Sequence, residues 1–192
     1  MSDVARAGGD VFVITGPSGV GKGTLIGRLK ARIPGLELST SATTRPPREG
    51  ERDGIDYFFL TEEEFQAKIE GGEFIEYARY SGNLYGTLRS EIEAKAAAAT
   101  GVILEIELQG ARQVRASMPE AVQVFIAPPE FEVLRRRLEG RGTDETEAIE
   151  ARLKVAAEEL EARDEFEHQV VNDDLDLATE RLEAIVSREL SQ

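Results

Sequence analysis

The residues best suited to chemistry stand near the start of the chain, where Gly16, Gly21 and Lys22 satisfy the pattern GxxxxGK. Glycines suit such a loop because backbone N–H groups can turn inward around phosphate oxygens only where no side chain blocks the approach. The lysine can reach the outer phosphates of a nucleotide, and a helix starting directly after the loop adds a positive partial charge. The pattern predicts a phosphate-binding loop, with an ordinary glycine turn and a surface lysine as the alternative.

The loop departs from the strict pattern directly after its lysine. The strict pattern has Ser or Thr there to contact Mg²⁺, whereas this chain has Gly23 followed by Thr24. We therefore expect Mg²⁺ to be held mainly by nucleotide phosphates and water, with no protein ligand assigned. Thr24 can still bind a phosphate oxygen. The predicted nucleotide contacts of the loop are Gly16, Pro17, Ser18, Gly19, Val20, Gly21, Lys22, Gly23 and Thr24.

A second anion site is indicated by Arg45 and Arg48, which flank a pair of prolines. The prolines favour polyproline II, in which residues three apart return to the same side about 9 Å from each other. Arginine suits this task because its planar donors bind phosphate oxygens in pairs and keep their charge at any working pH. Taken alone, the motif would favour the alternative of a solvated basic turn.

The elements that must position these residues alternate between strand and helix. Strand-like runs occur at 10–15, 102–107, 121–127 and 169–172. Their alternation with helix-like sequence is typical of an α/β fold with a parallel sheet flanked by helices. The stretch 39–85 differs, being rich in Thr, Pro, Gly, charge and aromatic residues, and is predicted to be an inserted lobe with short strands at 57–60 and 74–80.

The C-terminal part is predicted to be helical. An arginine-rich segment from 134 is followed by a predicted mobile connection at 140–144 and by a helix with Thr143 as a candidate N-cap. The apolar stripe of that helix is Ile149, Leu153, Ala157 and Leu160. A last amphipathic helix is expected from about 175 to 190, with its apolar side formed by Leu175, Ala178, Leu182 and Ile185.

Composition limits the class of function. The 192 residues, 41% hydrophobic and 31% charged, are typical of one globular core. A net charge of −14 argues against general nucleic-acid binding, which needs clustered Lys and Arg. No apolar run reaches the roughly 18 residues that span a bilayer, and the first ten residues do not resemble a secretory signal, so we expect a cytoplasmic protein without nucleic-acid or membrane partners. Without cysteine there is no thiolate catalysis, and the lone His168 cannot form a metal site.

Several motifs together resemble one known family. They are the GxxxxGK loop, STSATTRPPREGERDGIDYFF at 39–59, FIEYARYSGNLYGT at 74–87, GRGTDETEAIEARL at 140–153 and VNDD at 171–174. In this order, and over roughly residues 10–190, they resemble the guanylate kinases. The resemblance implies a single domain of the P-loop kinase fold. Its parts would be a core at 10–38, 97–133 and 165–190, a GMP-binding lobe of mixed sheet and helix at 39–96, and a mobile helical lid at 134–164.

The resemblance also implies an activity, the reversible transfer of the γ-phosphoryl group of ATP to GMP or dGMP with Mg²⁺ as cofactor. The GMP phosphate would be held by two cations and two phenol hydroxyls, from Arg45, Arg48, Tyr57 and Tyr85. Glu76 would accept hydrogen bonds from guanine N1 and N2, and the hydroxyls of Ser41 and Thr87 would contact the O6 region. Since adenine lacks this donor pair, AMP would leave a buried Glu76 partly unpaired. The alternatives are core tyrosines and a surface glutamate.

Further roles follow from the same resemblance. Glu105 and Glu107 stand where the family usually has aspartate, and Glu107 is assigned a nucleotide or magnesium contact. The predicted catalytic residues combine Lys22 and Arg45 with three lid arginines that stabilise the migrating phosphoryl group after closure: Arg137, Arg141 and Arg152. Asn172 is predicted to contact the adenine side of ATP. The competing explanation for VNDD is a helix cap, provided by Asp173 or Asp174.

Two other functions are compatible with the sequence. One is an interaction module that keeps the fold without catalysis, although such modules typically lose the phosphate loop or the lid arginines. The other is a P-loop kinase for a different acceptor. This alternative is disfavoured by Glu76, Thr87 and the two arginines around the prolines. The sequence gives no indication of oligomeric state.

Overall fold

The computed structural model describes residues 10–80, 82–139 and 146–191, with the backbone alone for 146–148. The predicted connection at 140–144, the candidate N-cap Thr143 and the predicted catalytic residue Arg141 lie outside the described residues.

The described residues form nine strands and seven α-helices. The strands are β1 Asp10–Thr15, β2 Leu36–Leu38, β3 Ala42–Thr43, β4 Phe58–Phe59, β5 Phe74–Tyr80, β6 Asn83–Leu88, β7 Gly101–Glu105, β8 Val122–Ala127 and β9 His168–Val171. The helices are α1 Lys22–Arg32, α2 Glu62–Glu70, α3 Arg89–Ala98, α4 Leu108–Ser117, α5 Phe131–Glu139, α6 Thr146–Glu161 and α7 Leu175–Glu189, with a 3-10 helix at Ala162–Glu165. No helix among them is long and apolar enough to cross a membrane.

The strands form two sheets. Five strands lie in the order β2, β7, β1, β8, β9, and the pairs β2–β7, β1–β8 and β8–β9 run parallel. The second sheet is mixed, in the order β4, β3, β6, β5, with β3 parallel to β4 and antiparallel to β6. The predicted α/β fold with a parallel sheet is confirmed. Strand β7 ends at Glu105, two residues earlier than predicted, although the Ile106 amide still donates to the Ile14 carbonyl at 3.3 Å.

The chain divides into two compact units. The first comprises described residues within 10–11, 35–104 and 109–121. Its mixed sheet packs on a core formed by Ala42, Phe65, Phe74, Leu84 and Leu88. The rings of Phe65 on α2 and Phe74 on β5 stack with their centroids 4.3 Å apart.

The second unit comprises described residues within 12–34, 105–108 and 122–191. Its β-branched and aromatic strands β1 and β8 are buried, and α1 packs against α7. On α6 the predicted stripe is wrong at Ala157, which is exposed, while Ala156 is buried. The reason is helical geometry: with 3.6 residues per turn, positions 149, 153, 156 and 160 share a face more closely than a strict repeat of four. The predicted core, lobe and lid boundaries stay predictions.

Candidate active site

The glycine loop connects β1 to α1 in the second unit. Gly16, Gly19 and Gly21 have φ values of 139°, 83° and 102°, a region that disfavours side chains. A Cβ on Gly16 would lie 2.2 Å from the carbonyl oxygen of Ile126. Helix α1 begins at Lys22, and its N-cap Gly21 has no side chain to satisfy the first amides. The loop therefore presents free backbone donors at a helix N-terminus, as an anion site requires.

Lys22 is folded back onto this loop. Its side chain is buried, and its Nζ donates to the carbonyl oxygens of Gly16 at 2.5 Å and Pro17 at 3.4 Å. These bonds hold the ammonium group at the loop, where it can bind phosphate oxygens as a point charge.

The Glu105 side chain lies beside Gly23, the position at which the loop departs from the strict GxxxxGK[ST] pattern. Its two carboxylate oxygens lie 3.7 and 3.8 Å from where a Cβ on Gly23 would stand. Burial raises the pKa of Glu105 and Glu107 adds to the rise, whereas the Lys22 charge opposes it. Carboxylate oxygens are ligands that Mg²⁺ accepts, so the Glu105 carboxylate beside Gly23 fits a magnesium ion at the loop. Sequence reasoning left Glu105 without a role because its nearness to Gly23 depends on the sheet.

Three predicted residues converge on the phosphate loop from later in the chain. The Asn172 side chain is buried and donates from Nδ2 to the Val20 carbonyl at 2.8 Å. Arg137 donates to the same carbonyl and to the Asn172 carbonyl, both at 3.1 Å. Arg152 on α6 donates to Ser18 Oγ at 3.2 Å. The structure thus brings Asn172 and two arginines of the predicted lid to the loop, where the two guanidinium groups can meet phosphate oxygens.

The cap of α7 is a different residue from the one that binds the loop. Asp174 Oδ1 accepts from the amides of Asp176 at 2.9 Å and Leu177 at 3.0 Å, which makes Asp174 the N-cap. Asp173 pairs with Arg181 at 2.9 Å. Asn172 therefore has no capping duty, and its predicted adenine contact stays a prediction.

A pair of acidic residues, the buried Glu159 and the half-buried Glu107, lies in the same unit as the loop. Glu159 on α6 is 6% exposed, and its carboxyl group is hydrogen-bonded to Glu107. Burial, followed by the charge and hydrogen bond of Glu107, raises the pKa of Glu159 to about 8. Sequence reasoning missed Glu159 because a glutamate on an amphipathic helix is ordinarily solvent-exposed, and no pattern in the sequence signals its burial.

In the first unit, Glu76 is a buried acceptor. It lies on β5, is 5% exposed, and its Oε1 accepts from Thr87 Oγ1 on β6 at 2.7 Å. Burial raises the pKa of Glu76 to about 7, against the opposing hydrogen bonds from Thr87. The surface-glutamate alternative is therefore wrong. Because Thr87 gives its single hydroxyl hydrogen to Glu76, it cannot donate to guanine O6 while this bond exists. Ser41, half-buried before β3, remains the candidate donor there.

The predicted phosphate clamp is assembled in the same unit. Arg45 Cζ lies 5.2 Å from the ring centroid of Tyr57, and the rings of Tyr57 and Tyr85 meet edge to face at 6.2 Å. Tyr85 also hydrogen-bonds Arg45, while the Arg48 side chain is exposed.

Glu51 organises this clamp and was missed by sequence reasoning. Its carboxylate accepts from Arg45 Nη2 at 2.9 Å and from the Arg48 amide at 2.7 Å. The Arg45 bond, with that amide, lowers the pKa of Glu51. Its spacing of three residues from Arg48 was the available signal, since a carboxylate at that distance can close a turn.

Comparisons with known proteins identify the family. The family model for guanylate kinase matches residues 9–189. A guanylate kinase from Parasynechococcus marenigrum (strain WH8102) is 56% identical over 178 residues, 93% of this chain and 98% of that protein. One from Rubrobacter xylanophilus is 51% identical over 94% of both chains. The crystal structure of guanylate kinase from Anaplasma phagocytophilum superposes with a TM-score of 0.77 at 32% identity, covering 97% of this chain and 89% of that one. Likeness of this extent, in sequence and in fold, shows that the chain belongs to the guanylate kinase family.

Proposed function

We propose that the protein catalyses transfer of the γ-phosphoryl group of ATP to GMP, and to dGMP, giving ADP and the corresponding diphosphate. The observation that carries the proposal is the buried Glu76 carboxylate, held by Thr87 in the same unit as the Arg45 clamp. One oxygen is engaged by Thr87, which leaves the other to accept the paired N1 and N2 donors of guanine. The family relationship supports the same substrates.

The chemistry needs no side-chain base. An anionic oxygen of the GMP phosphate forms the new bond to the γ-phosphorus, the bond from that phosphorus to the β-γ bridging oxygen breaks, and ADP leaves. Loop amides and Lys22 hold the triphosphate, and Arg45 with Tyr57 and Tyr85 holds the acceptor phosphate. Arg137 and Arg152 stabilise charge on the migrating group, which is where most of the acceleration in phosphoryl transfer arises.

Mg²⁺, when bound, neutralises charge on the phosphates, and Glu105 would hold it. Its use, the lid motion that excludes water, the contribution of Arg141 and the expected cytoplasmic location all stay predictions.

The test is ADP formation from ATP and Mg²⁺ with GMP, dGMP, AMP, UMP or CMP supplied separately. We expect turnover with the two guanine nucleotides and little with the others. The matched control is Lys22→Ala, which removes a charge beside the migrating group and should lower kcat at least about 100-fold. A folded protein without turnover on any acceptor would instead support a non-catalytic interaction module, and equal rates for GMP and AMP would contradict the role of Glu76.

A further inference from the structure

Strand β5, which carries Glu76, is the edge strand of the mixed sheet. Only β6 pairs with it along the sheet order β4, β3, β6, β5 in the described residues. The pairing is also irregular, because its register shifts between Phe74 and Glu76. An edge strand has a row of backbone groups without a strand partner, and a bulge loosens the ladder further. Something other than the sheet must therefore fix the backbone next to Glu76.

Helix α4 of the same unit provides that support. Gln113 accepts from the Tyr77 amide through Oε1 at 3.1 Å and donates from Nε2 to the Tyr77 carbonyl at 2.7 Å. Four residues later, Ser117 Oγ donates to the Ile75 carbonyl at 3.3 Å. A side-chain amide carries one donor group and one acceptor, so Gln113 replaces both bonds of a missing neighbouring strand.

The spacing of the two elements matches this arrangement. Four residues of helix rise about 6 Å. Two residues of strand advance about 6.7 Å. Gln113 and Ser117 therefore reach the outward-facing backbone groups on either side of Glu76, those of Tyr77 and Ile75. Glu76 is thus fixed from both directions, its backbone through α4 and its carboxylate through Thr87 on β6.

We propose that Gln113 is a positioning residue for guanine recognition, which holds the β5 edge at Tyr77 and so places the Glu76 carboxylate against the N1 and N2 donors of the base. The inference rests on the proposed function, since it assigns Glu76 to guanine. Gln113 itself touches no substrate. Its effect arises because hydrogen-bond acceptance by Glu76 depends on position, and a shift of about 1 Å at a recognition group can cost up to about 100-fold.

The experiment compares Gln113→Leu with Gln109→Leu, the same change at an exposed position of the same helix. Steady-state constants are measured with GMP and with IMP, which lacks the 2-amino group, and KM for ATP is measured alongside. Gln113→Leu removes both bonds at similar volume. We expect its KM for GMP to rise about tenfold with KM for ATP unchanged, and its preference for GMP over IMP to shrink. Gln109→Leu should keep wild-type values.

A second pair of variants guards against a folding defect. Gln113→Glu keeps the acceptor for the Tyr77 amide but places a carboxylate against the Tyr77 carbonyl. Ser117→Ala removes only the 3.3 Å hydrogen bond to the Ile75 carbonyl. Both should shift KM for GMP in the same direction, Ser117→Ala less. Wild-type GMP and IMP constants in the Gln113 variants would overturn the inference. So would a loss that affects GMP, IMP and ATP equally, since that indicates a merely structural role. Failure of the wild-type enzyme to use GMP would contradict the proposed function instead.

Discussion

At the scale of single residues, the burial of Glu76 determines its protonation state, because burial disfavours the ionised carboxylate. The side chain is 5% exposed and its pKa is raised to about 7 by burial. In the proposed function, the ionised carboxylate accepts both guanine donors, whereas the protonated acid would carry a hydrogen of its own toward them. Guanine binding therefore needs the form that the folded protein disfavours. As pH falls through about 7, the fraction of unliganded protein in which Glu76 is ionised also falls.

This predicts a pH dependence of GMP affinity. Between pH 8 and pH 6 the ionised fraction of Glu76 drops about tenfold, so the Kd for GMP should rise by about that factor. Titration calorimetry across this range measures it, and Kd for ATP should not follow the same curve. The second ionisation of the GMP phosphate, near pH 6, adds its own slope.

Glu76→Gln separates the two contributions, since it cannot ionise but leaves the phosphate of GMP as it is. Its residual affinity should show the shallower slope of the phosphate alone. An identical slope in wild type and variant would contradict the assignment to Glu76.

The pH dependence of folding stability runs opposite to that of GMP affinity. Because the folded protein raises the pKa of Glu76, the free energy of unfolding should fall as pH rises from about 4.5 to about 7, and Glu76→Gln should lack this fall.

At the scale of elements, the phosphate loop is held by residues from other parts of the fold, Asn172 directly after β9 and Arg137 on α5. Val20 O accepts from both Asn172 and Arg137. A Cβ on Gly21 would lie 2.6 Å from Asn172 Nδ2. The Asn172 side chain can therefore bind the loop in this position only if residue 21 is glycine. Gly21 also has a φ of 102°, which strains any other residue independently of the neighbouring side chain. The loop conformation is thus a joint property of the β1–α1 turn and the end of β9.

This predicts coupling between Gly21→Ala and Asn172→Ala in a double-mutant cycle. Alone, Gly21→Ala carries both the backbone strain and the clash, and should cost more than about 2 kcal/mol of unfolding free energy. With Asn172→Ala the clash is gone and the strain of about 1 kcal/mol remains. Denaturant unfolding of the four proteins should therefore give a coupling of at least about 0.5 kcal/mol. Additive costs would show that Asn172 does not crowd Gly21.

At the scale of the whole molecule, a chain with a net charge of −14 binds anions through local basic sites. In the proposed function, Lys22, Arg137 and Arg152 would supply one in the second unit, and Arg45 with Arg48 another in the first. The hydrogen bonds described above for each group of residues join residues of a single unit. Each nucleotide should therefore bind without the other.

This predicts separable stabilisation by ligands. ATP alone and GMP alone should each raise Tm, by the equivalent of about 2.7 kcal/mol at a hundred times the respective Kd. Arg45→Ala should lose the shift from GMP and keep that from ATP, whereas Lys22→Ala should do the reverse. Thermal denaturation with each ligand measures both shifts. An ATP shift that disappears in Arg45→Ala would contradict the assignment of separate sites.

The sequence by itself determined the features that depend on neighbouring residues. The phosphate loop, the strand before it, the helix after it and the arginines around the prolines were all predictable, because each is a local pattern of φ preference and side-chain type. The α/β class followed from the alternation of elements, and the family from motifs in order.

Contacts between residues far apart in the chain could not be predicted, because they depend on strand order and helix packing. Asn172 binds Val20 across 152 positions, Gln113 holds Tyr77 across 36, and Glu105 lies beside Gly23. The burial of Glu159 and the engagement of Thr87 by Glu76 belong to the same class. The type of a side chain determines which hydrogen bonds it can form. The free energy of such a bond depends on burial and on the partner, and both are set by strand order and helix packing.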